Sequence, residues 1–265
     1  MEVSNKTKAL LVVSFGSSYS DKRSRSIGAI ESAISSAFPE RLFYRAWTSN
    51  MLRKKVEREE GLHIDSVDEA MERMLKDGVN DVLVQPTHLL LGEEYKKTEE
   101  TVRAFAGDFS SLAIGGPLLA DSSDVAELAG ILEKEYPTEE GEMLVLMGHG
   151  SAKLPFPVYE CLEKQLIRDG CDMTCVGTVE FEPGIDRVLE FIRQERPQKV
   201  HLAPILTVAG DHVINDMSGD APDSWKNRIG QEGTVVMCHI KGLGEIEQIR
   251  SMFIRHAENA KPIRN

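Results

Sequence analysis

Two hydrophobic patterns alternate along this chain: short runs of apolar residues, and longer stretches in which apolar residues recur at helical spacing. The short runs predict β-strands, because they are rich in Val, Leu and Ile and are bounded by turn residues. The predicted strands are Ala9–Val13, Leu42–Trp47, Asp81–Gln85, Leu112–Gly115, Met143–Met147, Thr174–Glu180, Val200–Leu206 and Val235–Cys238.

The stretches between these strands predict helices. Ser66 and Glu69 have the spacing of a capping box and mark the start of one helix, which ends at Gly78. The other predicted helices are Asp21–Phe38, Met51–Glu60, one from Glu94, Asp121–Tyr136, Pro157–Asp169, Ile185–Arg196, Asp216–Ile229 and one from Glu245. Strands that alternate with helices are typical of an α/β protein whose parallel sheet is covered on both faces.

The pattern occurs twice, which predicts two similar Rossmann-like halves, each with a parallel four-stranded sheet flanked by helices, around a central cleft. The polar segment 137–141 is the natural break, so the predicted halves are 1–137 and 138–265. When Gly16 is aligned with Gly150, Phe15 falls where the second half has His149. When Gly92 is aligned with Gly210, Glu94 falls where the second half has His212. Most polar ligands are therefore expected from the second half.

Charge and targeting signals exclude several classes of partner. The chain has 31 basic and 43 acidic residues, and its formal charge of -12 disfavours binding to nucleic acid or to an anionic membrane. The N-terminal apolar run is too short for a signal peptide, so we expect a cytoplasmic protein. The four cysteines are then expected to be thiols. The sequence contains no dinucleotide or P-loop glycine motif, and no G-x-S-x-G motif of a serine hydrolase.

Candidate chemistry lies at the ends of strands in the second half. His149 and His212 each stand in a glycine-containing turn after a strand, and Glu180 ends the strand between them in sequence. Loops at the carboxyl ends of parallel strands share one edge, so these side chains should converge. Imidazole and carboxylate ligands suit a divalent first-row metal, and three protein ligands leave coordination positions open. By sequence alone, Glu182 competes evenly with Glu180. His88, at the end of the third strand, could reach the cleft from the opposite wall.

Several segments together resemble one protein family. They are ALLVVSFGSSY at 9–19, MGHG at 147–150, VAGDHVINDM at 208–217, DSWK at 223–226 and GLGE at 242–245. With these segments, the chain resembles the anaerobic sirohydrochlorin cobalt chelatases of cobalamin biosynthesis, which belong to the class II chelatases together with ferrochelatase. The resemblance extends over nearly the whole chain.

The resemblance implies a cleft that holds a planar tetrapyrrole and needs neither ATP nor an organic cofactor. His149, Glu180 and His212 match the family's metal-binding residues, with Co²⁺ as the substrate metal and protons passing to Glu180 or a histidine. Further candidate contacts to the tetrapyrrole are Phe15, Arg45, His88 and Glu94, together with Trp47, Leu90, Lys96 and Lys153. Insertion of nickel or iron, or a non-catalytic tetrapyrrole or haem carrier on the same fold, are the alternatives. Self-association is an option, although no apolar stripe marks an interface.

Overall fold

The computed structural model describes residues 7–151, 154–155 and 157–264. Its strands are β1 (Lys8–Ser14), β2 (Leu42–Trp47), β3 (Asp81–Pro86), β4 (Ser111–Ile114), β5 (Glu142–Gly148), β6 (Thr174–Thr178), β7 (Lys199–Pro204), β8 (Val235–Cys238) and β9 (Lys261–Pro262). Its α-helices are α1 (Ser20–Arg23), α2 (Ala29–Ala37), α3 (Asn50–Glu60), α4 (Val67–Lys76), α5 (Glu93–Ala104), α6 (Ser122–Glu135), α7 (Val158–Arg168), α8 (Ile185–Glu195), α9 (Trp225–Gly230) and α10 (Glu247–Glu258). Ser24–Gly28 and His212–Met217 are π-helical turns, and Leu243–Glu245 is a 3-10 turn.

The chain forms two compact units, which do not coincide with the predicted halves of 1–137 and 138–265. Unit 1 contains the residues up to Ala120 and those from Glu247 onward, and unit 2 contains Asp121–Ile246. Two sets of contacts account for the difference. Helix α6 packs against α7 and so belongs to unit 2, whereas α10 packs against α2 and β9 pairs with β4 in unit 1.

Unit 1 is built on a sheet with the strand order β2-β1-β3-β4-β9. The pairs among β1 to β4 are parallel, and β9 adds an antiparallel edge strand that the sequence pattern did not predict. Leu11, Val13 and Val84 are fully buried in the core on one face of this sheet. Because the central strands are apolar on both faces, side chains that project from the strand ends become the natural place for polar chemistry.

Unit 2 contains a parallel sheet with the order β6-β5-β7-β8. Relative to chain order, this is the arrangement of β2-β1-β3-β4 in unit 1, so the predicted internal repeat is present in the topology. Met147, Val200 and Leu202 are fully buried in its core. The ends of β5, β6 and β7 lie side by side in the order β6-β5-β7, so the segments after these strands are neighbours.

Most predicted elements are present within a few residues, and one helix prediction is wrong. The capping box of Ser66 and Glu69 is formed at the start of α4. The predicted helix Asp216–Ile229 is instead the end of a π-helical turn, a loop and the short helix α9. Gly219 and Pro222 lie in that loop, and both residue types disfavour a continuous helix. The cysteines are free thiols, and the described residues contain no helix with the length and apolar character to cross a bilayer.

Candidate functional site

The turn after β5 places His149 by means of two glycines. A Cβ atom on Gly148 would lie 2.5 Å from the ring of Tyr159, and Gly150 has a φ of +92°, which disfavours any other residue. The Gly150 amide donates to the Tyr159 hydroxyl at 3.1 Å. The position of the imidazole is therefore fixed by a backbone that only these small residues allow.

The segment after β6 continues to pair with this turn beyond the end of the strand. The amide of Val179 donates to the Gly148 carbonyl at 3.0 Å, and the amide of Glu180 donates to the His149 carbonyl at 3.1 Å. Glu180 is thus tied to the histidine turn through its own backbone. The predicted strand Thr174–Glu180 ends at Thr178 in the structure, where the Thr178 hydroxyl turns to the Phe181 carbonyl.

His212 begins the π-helical turn after β7. Val213 and Met217 of this turn are fully buried in the unit 2 core, which anchors the turn from below. The side chain of His212 is 32% exposed, and its Nδ1 lies 2.6 Å from Oδ2 of Asp216, which stands four residues later. Such wide turns within helices are frequent at functional sites.

His149, Glu180 and His212 converge as predicted, and we call this group the His-Glu-His site. Glu180 Oε1 lies 3.6 Å from His149 Nε2 and 3.9 Å from His212 Nε2. The two imidazole rings meet edge to face, with centroids 5.0 Å apart. One potential ligand atom from each side chain lies within 4.8 Å of the others, a spacing that a single metal ion can bridge.

The structure also separates Glu180 from its competitor Glu182. Oε2 of Glu182 accepts the amide of Gly184 at 2.8 Å, so this carboxylate serves its own loop. Glu180, in contrast, faces both histidines and is 47% exposed. The carboxylate that joins the two imidazoles is therefore that of Glu180.

Hydrogen bonds at Nδ1 set the tautomers of both histidines. Nδ1 of His212 faces the Asp216 carboxylate, and Nδ1 of His149 lies 3.2 Å from the Gly150 carbonyl. Both acceptors are oxygens, so each Nδ1 is the N–H donor in these bonds, and Nε2 is the nitrogen left to bind a cation. Both Nε2 atoms face Glu180. The site thus offers two imidazole nitrogens and one carboxylate oxygen to a cation.

The candidate residues of unit 1 do not form a comparable cluster. Phe15 is 49% exposed at the end of β1, whereas Trp47 is buried in the core. Arg45 makes a two-pronged ion pair with Glu31, whose side chain is only 3% exposed. Lys153 lies outside the described residues. Phe15 therefore presents an open apolar surface, while Trp47 and Arg45 are already engaged within unit 1.

His88 and Glu94 lie at the carboxyl end of the unit 1 sheet. Neither ring nitrogen of His88 has a hydrogen-bond partner in the described part of the chain. Burial lowers the pKa of His88 to about 4, with the Glu94 carboxylate acting in the opposite direction. Burial would raise the pKa of Glu94, but bonds such as that from Lys97 at 3.1 Å outweigh it and lower the pKa. His88 is therefore neutral and Glu94 charged near neutral pH.

Sequence reasoning missed Tyr159 and the contact of Asp216 with His212. Tyr159 lies on α7, far from the strand ends in sequence, and nothing in the pattern shows that its hydroxyl reaches Gly150. Asp216 carried a usable signal, because residues four apart on a helical turn share one face. A second group of potential ligands consists of the exposed His63 and Glu69 and the buried Asp65, and its two carboxylates already pair with arginines.

Comparison with known sequences identifies relatives over almost the full chain. The sequence model of a family described as "Cobalt chelatase (CbiK)" matches residues 8–261. Sirohydrochlorin cobaltochelatase of Salmonella typhimurium is 37% identical over 254 residues, which are 96% of this chain and 96% of that protein. Sirohydrochlorin cobaltochelatase CbiKC of Nitratidesulfovibrio vulgaris is 29% identical over 253 residues, which are 94% and 89% of the two chains.

Solved structures show the same fold at lower identity. SirB from Bacillus subtilis, solved with Fe³⁺, matches with a TM-score of 0.65 at 15% identity over 96% of this chain and 95% of its own. CbiX, described as the terminal enzyme of siroheme biosynthesis in denitrifying bacteria, matches with a TM-score of 0.58 at 17% identity, covering 96% and 100%. The predicted α/β fold of the chelatases is confirmed.

Proposed function

The chain belongs to the cobalt chelatase family, and from that premise we propose that it inserts Co²⁺ into sirohydrochlorin without ATP, as a step of anaerobic cobalamin biosynthesis. The observation that carries this proposal is the convergence of His149, Glu180 and His212 from three neighbouring segments of unit 2. The segment after each of the strands β5, β6 and β7 contributes one ligand. A binding protein for the tetrapyrrole alone would have no need of this set.

The first task of the site is to bind and partly dehydrate the ion. Nε2 of His149, Nε2 of His212 and a carboxylate oxygen of Glu180 replace up to three waters of hexaaqua Co²⁺. The remaining positions stay open, which allows pyrrole nitrogens to enter while water leaves. The metal is a substrate here, so the ligands must bind it and then release it.

The second task is to remove protons. Insertion forms bonds from Co²⁺ to four ring nitrogens and releases two pyrrole N–H protons, so the charges balance. Glu180 lies between the two imidazoles and can take a proton as the ion departs, and each imidazole can do the same at its vacated Nε2. Each protein ligand becomes a base at the moment it loses the metal. Metal transfer and proton removal are thereby coupled.

We propose roles in tetrapyrrole binding for the unit 1 candidates, and each candidate can make a different contact. Phe15 offers an exposed ring for the apolar macrocycle, and Glu94 offers a charged carboxylate in the same strand-end region of that unit. Arg45 can meet a peripheral carboxylate only by exchanging Glu31 for it. His88 can contact substrate only if its buried ring nitrogens become accessible.

The test is steady-state turnover. Purified protein is mixed with sirohydrochlorin and excess Co²⁺, and the change in the tetrapyrrole absorption spectrum is followed. We expect many turnovers per protein, loss of them in His212→Ala, and normal rates in His63→Ala, an exposed histidine of unit 1. Saturation at one equivalent would instead indicate a carrier.

The choice of metal needs a separate experiment, because histidine and carboxylate ligands discriminate poorly among divalent cobalt, nickel and iron. Parallel assays with Ni²⁺ and anaerobic Fe²⁺ should give lower kcat/KM than Co²⁺. A higher value for either ion would overturn the cobalt assignment and keep the chelatase.

A further inference from the structure

The two histidines of the His-Glu-His site are held by different kinds of acceptor. His212 Nδ1 donates to the Asp216 carboxylate at 2.6 Å, and His149 Nδ1 donates to the Gly150 carbonyl at 3.2 Å. The first contact is short and involves a charged acceptor, whereas the second is longer and neutral. Hydrogen bonds to charged acceptors are about twice as strong as those between neutral groups.

The backbone fixes the position of Asp216 relative to His212. Both residues lie on one π-helical turn, whose residues Val213 and Met217 are buried. The Ser218 hydroxyl closes the turn on the Val213 carbonyl at 2.7 Å. The carboxylate is thus held beside the imidazole by the same turn that presents the imidazole, and does not depend on a long flexible side chain.

A carboxylate acceptor changes the imidazole as a ligand. It draws the Nδ1 proton toward itself and increases electron donation from Nε2, so the metal bond becomes stronger. A backbone carbonyl has a weaker effect. The two histidine ligands therefore differ in the strength of their bond to the metal, because their Nδ1 atoms donate to different kinds of acceptor.

We propose that Asp216 is a positioning residue that makes His212 the ligand that holds Co²⁺ longest, while His149 releases the ion first. This inference rests on the proposed function and adds an order to the metal transfer. The ion enters the macrocycle while His212 still tethers it. Glu180, which contacts both histidines, then bridges the early and late stages of release.

The first test is Co²⁺ binding to the whole chain without tetrapyrrole, followed by the visible d–d absorption of bound cobalt. Asp216→Asn keeps an acceptor oxygen but removes the charge, and we expect affinity to fall about 10- to 100-fold. Asp216→Glu, which restores the charge, should recover most of the loss. Asp211→Asn is the matched control, since Asp211 lies in the same turn and bonds to the Asn215 amide at 3.0 Å. It should leave the affinity and the spectrum unchanged.

A double-mutant cycle shows whether Asp216 acts through His212. In His212→Ala protein, the further change Asp216→Asn should cause no additional loss of affinity, whereas in His149→Ala protein it should cause the full loss. His212→Ala alone should weaken binding more than His149→Ala. Equal losses from the two histidines, or an effect of Asp216→Asn that persists without His212, would overturn the proposal.

Turnover separates positioning from a general structural role. Asp216→Asn should raise the KM for Co²⁺ and leave kcat equal or higher, because an ion held less tightly at the last ligand leaves more readily. A fall in kcat with unchanged Co²⁺ affinity contradicts the release order. If wild-type protein binds Co²⁺ but turns over no sirohydrochlorin, the proposed function fails, and the binding cycle still decides the role of Asp216.

Discussion

The four parallel strands have the same order in units 1 and 2, but the two units differ in what they place at the strand ends. The turn after the first strand contains Gly16 in unit 1 and Gly150 in unit 2, and both have positive φ, +105° and +92°. The residue before that glycine is Phe15 in one unit and His149 in the other. The same backbone device thus presents an apolar ring in unit 1 and a metal ligand in unit 2.

The histidines of the two units show what makes an imidazole suitable for metal binding. His149 is 44% exposed at its side chain and has an acceptor for Nδ1, so Nε2 is the nitrogen that faces Glu180. His88 of unit 1 has buried ring nitrogens without partners in the described part of the chain and a pKa of about 4. Residue type and strand-end position are the same. The two histidines differ in whether Nδ1 has a hydrogen-bond acceptor and in whether the ring is accessible to a metal ion.

The largest expected effect is the loss of catalysis when Glu180 is replaced. Glu182, which lies two residues later in unit 2, provides the comparison. Glu180→Gln should lower kcat/KM for Co²⁺ insertion by about 100-fold or more, because it removes both a charged ligand and a proton acceptor. Glu182→Gln is the matched control, since its carboxylate accepts the Gly184 amide of its own loop. Steady-state assays with sirohydrochlorin measure both. Similar losses in the two variants would show that the loop, rather than the Glu180 carboxylate, carries the effect.

The two units also show how far the sequence can be interpreted. Strand ends and glycine turns are encoded locally, so His149 and His212 can be selected from the sequence itself. The choice between Glu180 and Glu182 cannot be made in that way, because the strand stops at Thr178 while the loop still pairs with the His149 turn. The end of the chain joins unit 1 through packing of α10 on α2, which is a long-range contact that no local pattern predicts.

A smaller effect is expected from the buried imidazole of unit 1. The pKa of His88 in the folded protein, about 4, lies below the value of 6.5 for the free side chain. The unfolded chain therefore binds more protons between these values, and the free energy of unfolding falls as the pH drops from 6.5 toward 4. A difference of this size corresponds to about 3 kcal/mol. His88→Leu should remove this loss, so that its stability relative to wild type rises as the pH falls.

The measurement is urea unfolding at pH 7.5 and at acidic pH, in a Trp225→Phe background. Fluorescence then reports Trp47, which is buried in unit 1. His63→Leu is the control with the opposite sign, because the bond to Glu57 raises the pKa of His63 and favours folding at acidic pH. If His88→Leu and wild type lose stability in parallel, the burial of His88 has no such consequence.

The smallest expected effect concerns Gly16 and Gly150, the glycines of the two strand-end turns. Alanine at either position should lower stability, but only one of the two variants should weaken Co²⁺ binding. A Cβ on Gly16 would lie 2.6 Å from the Trp47 ring, and one on Gly150 would lie 2.9 Å from the Phe181 ring and 3.1 Å from its Cβ. Each alanine variant should lose about 2 kcal/mol of stability through positive φ and overpacking. Trp47 is buried and cannot yield, whereas Phe181 is 39% exposed and can move. Such movement would shift the adjacent Glu180, so Gly150→Ala should weaken Co²⁺ binding while Gly16→Ala leaves it intact. Urea unfolding and Co²⁺ titration of both variants test this, and equal Co²⁺ affinities would mean that the Gly150 turn does not position the metal ligands.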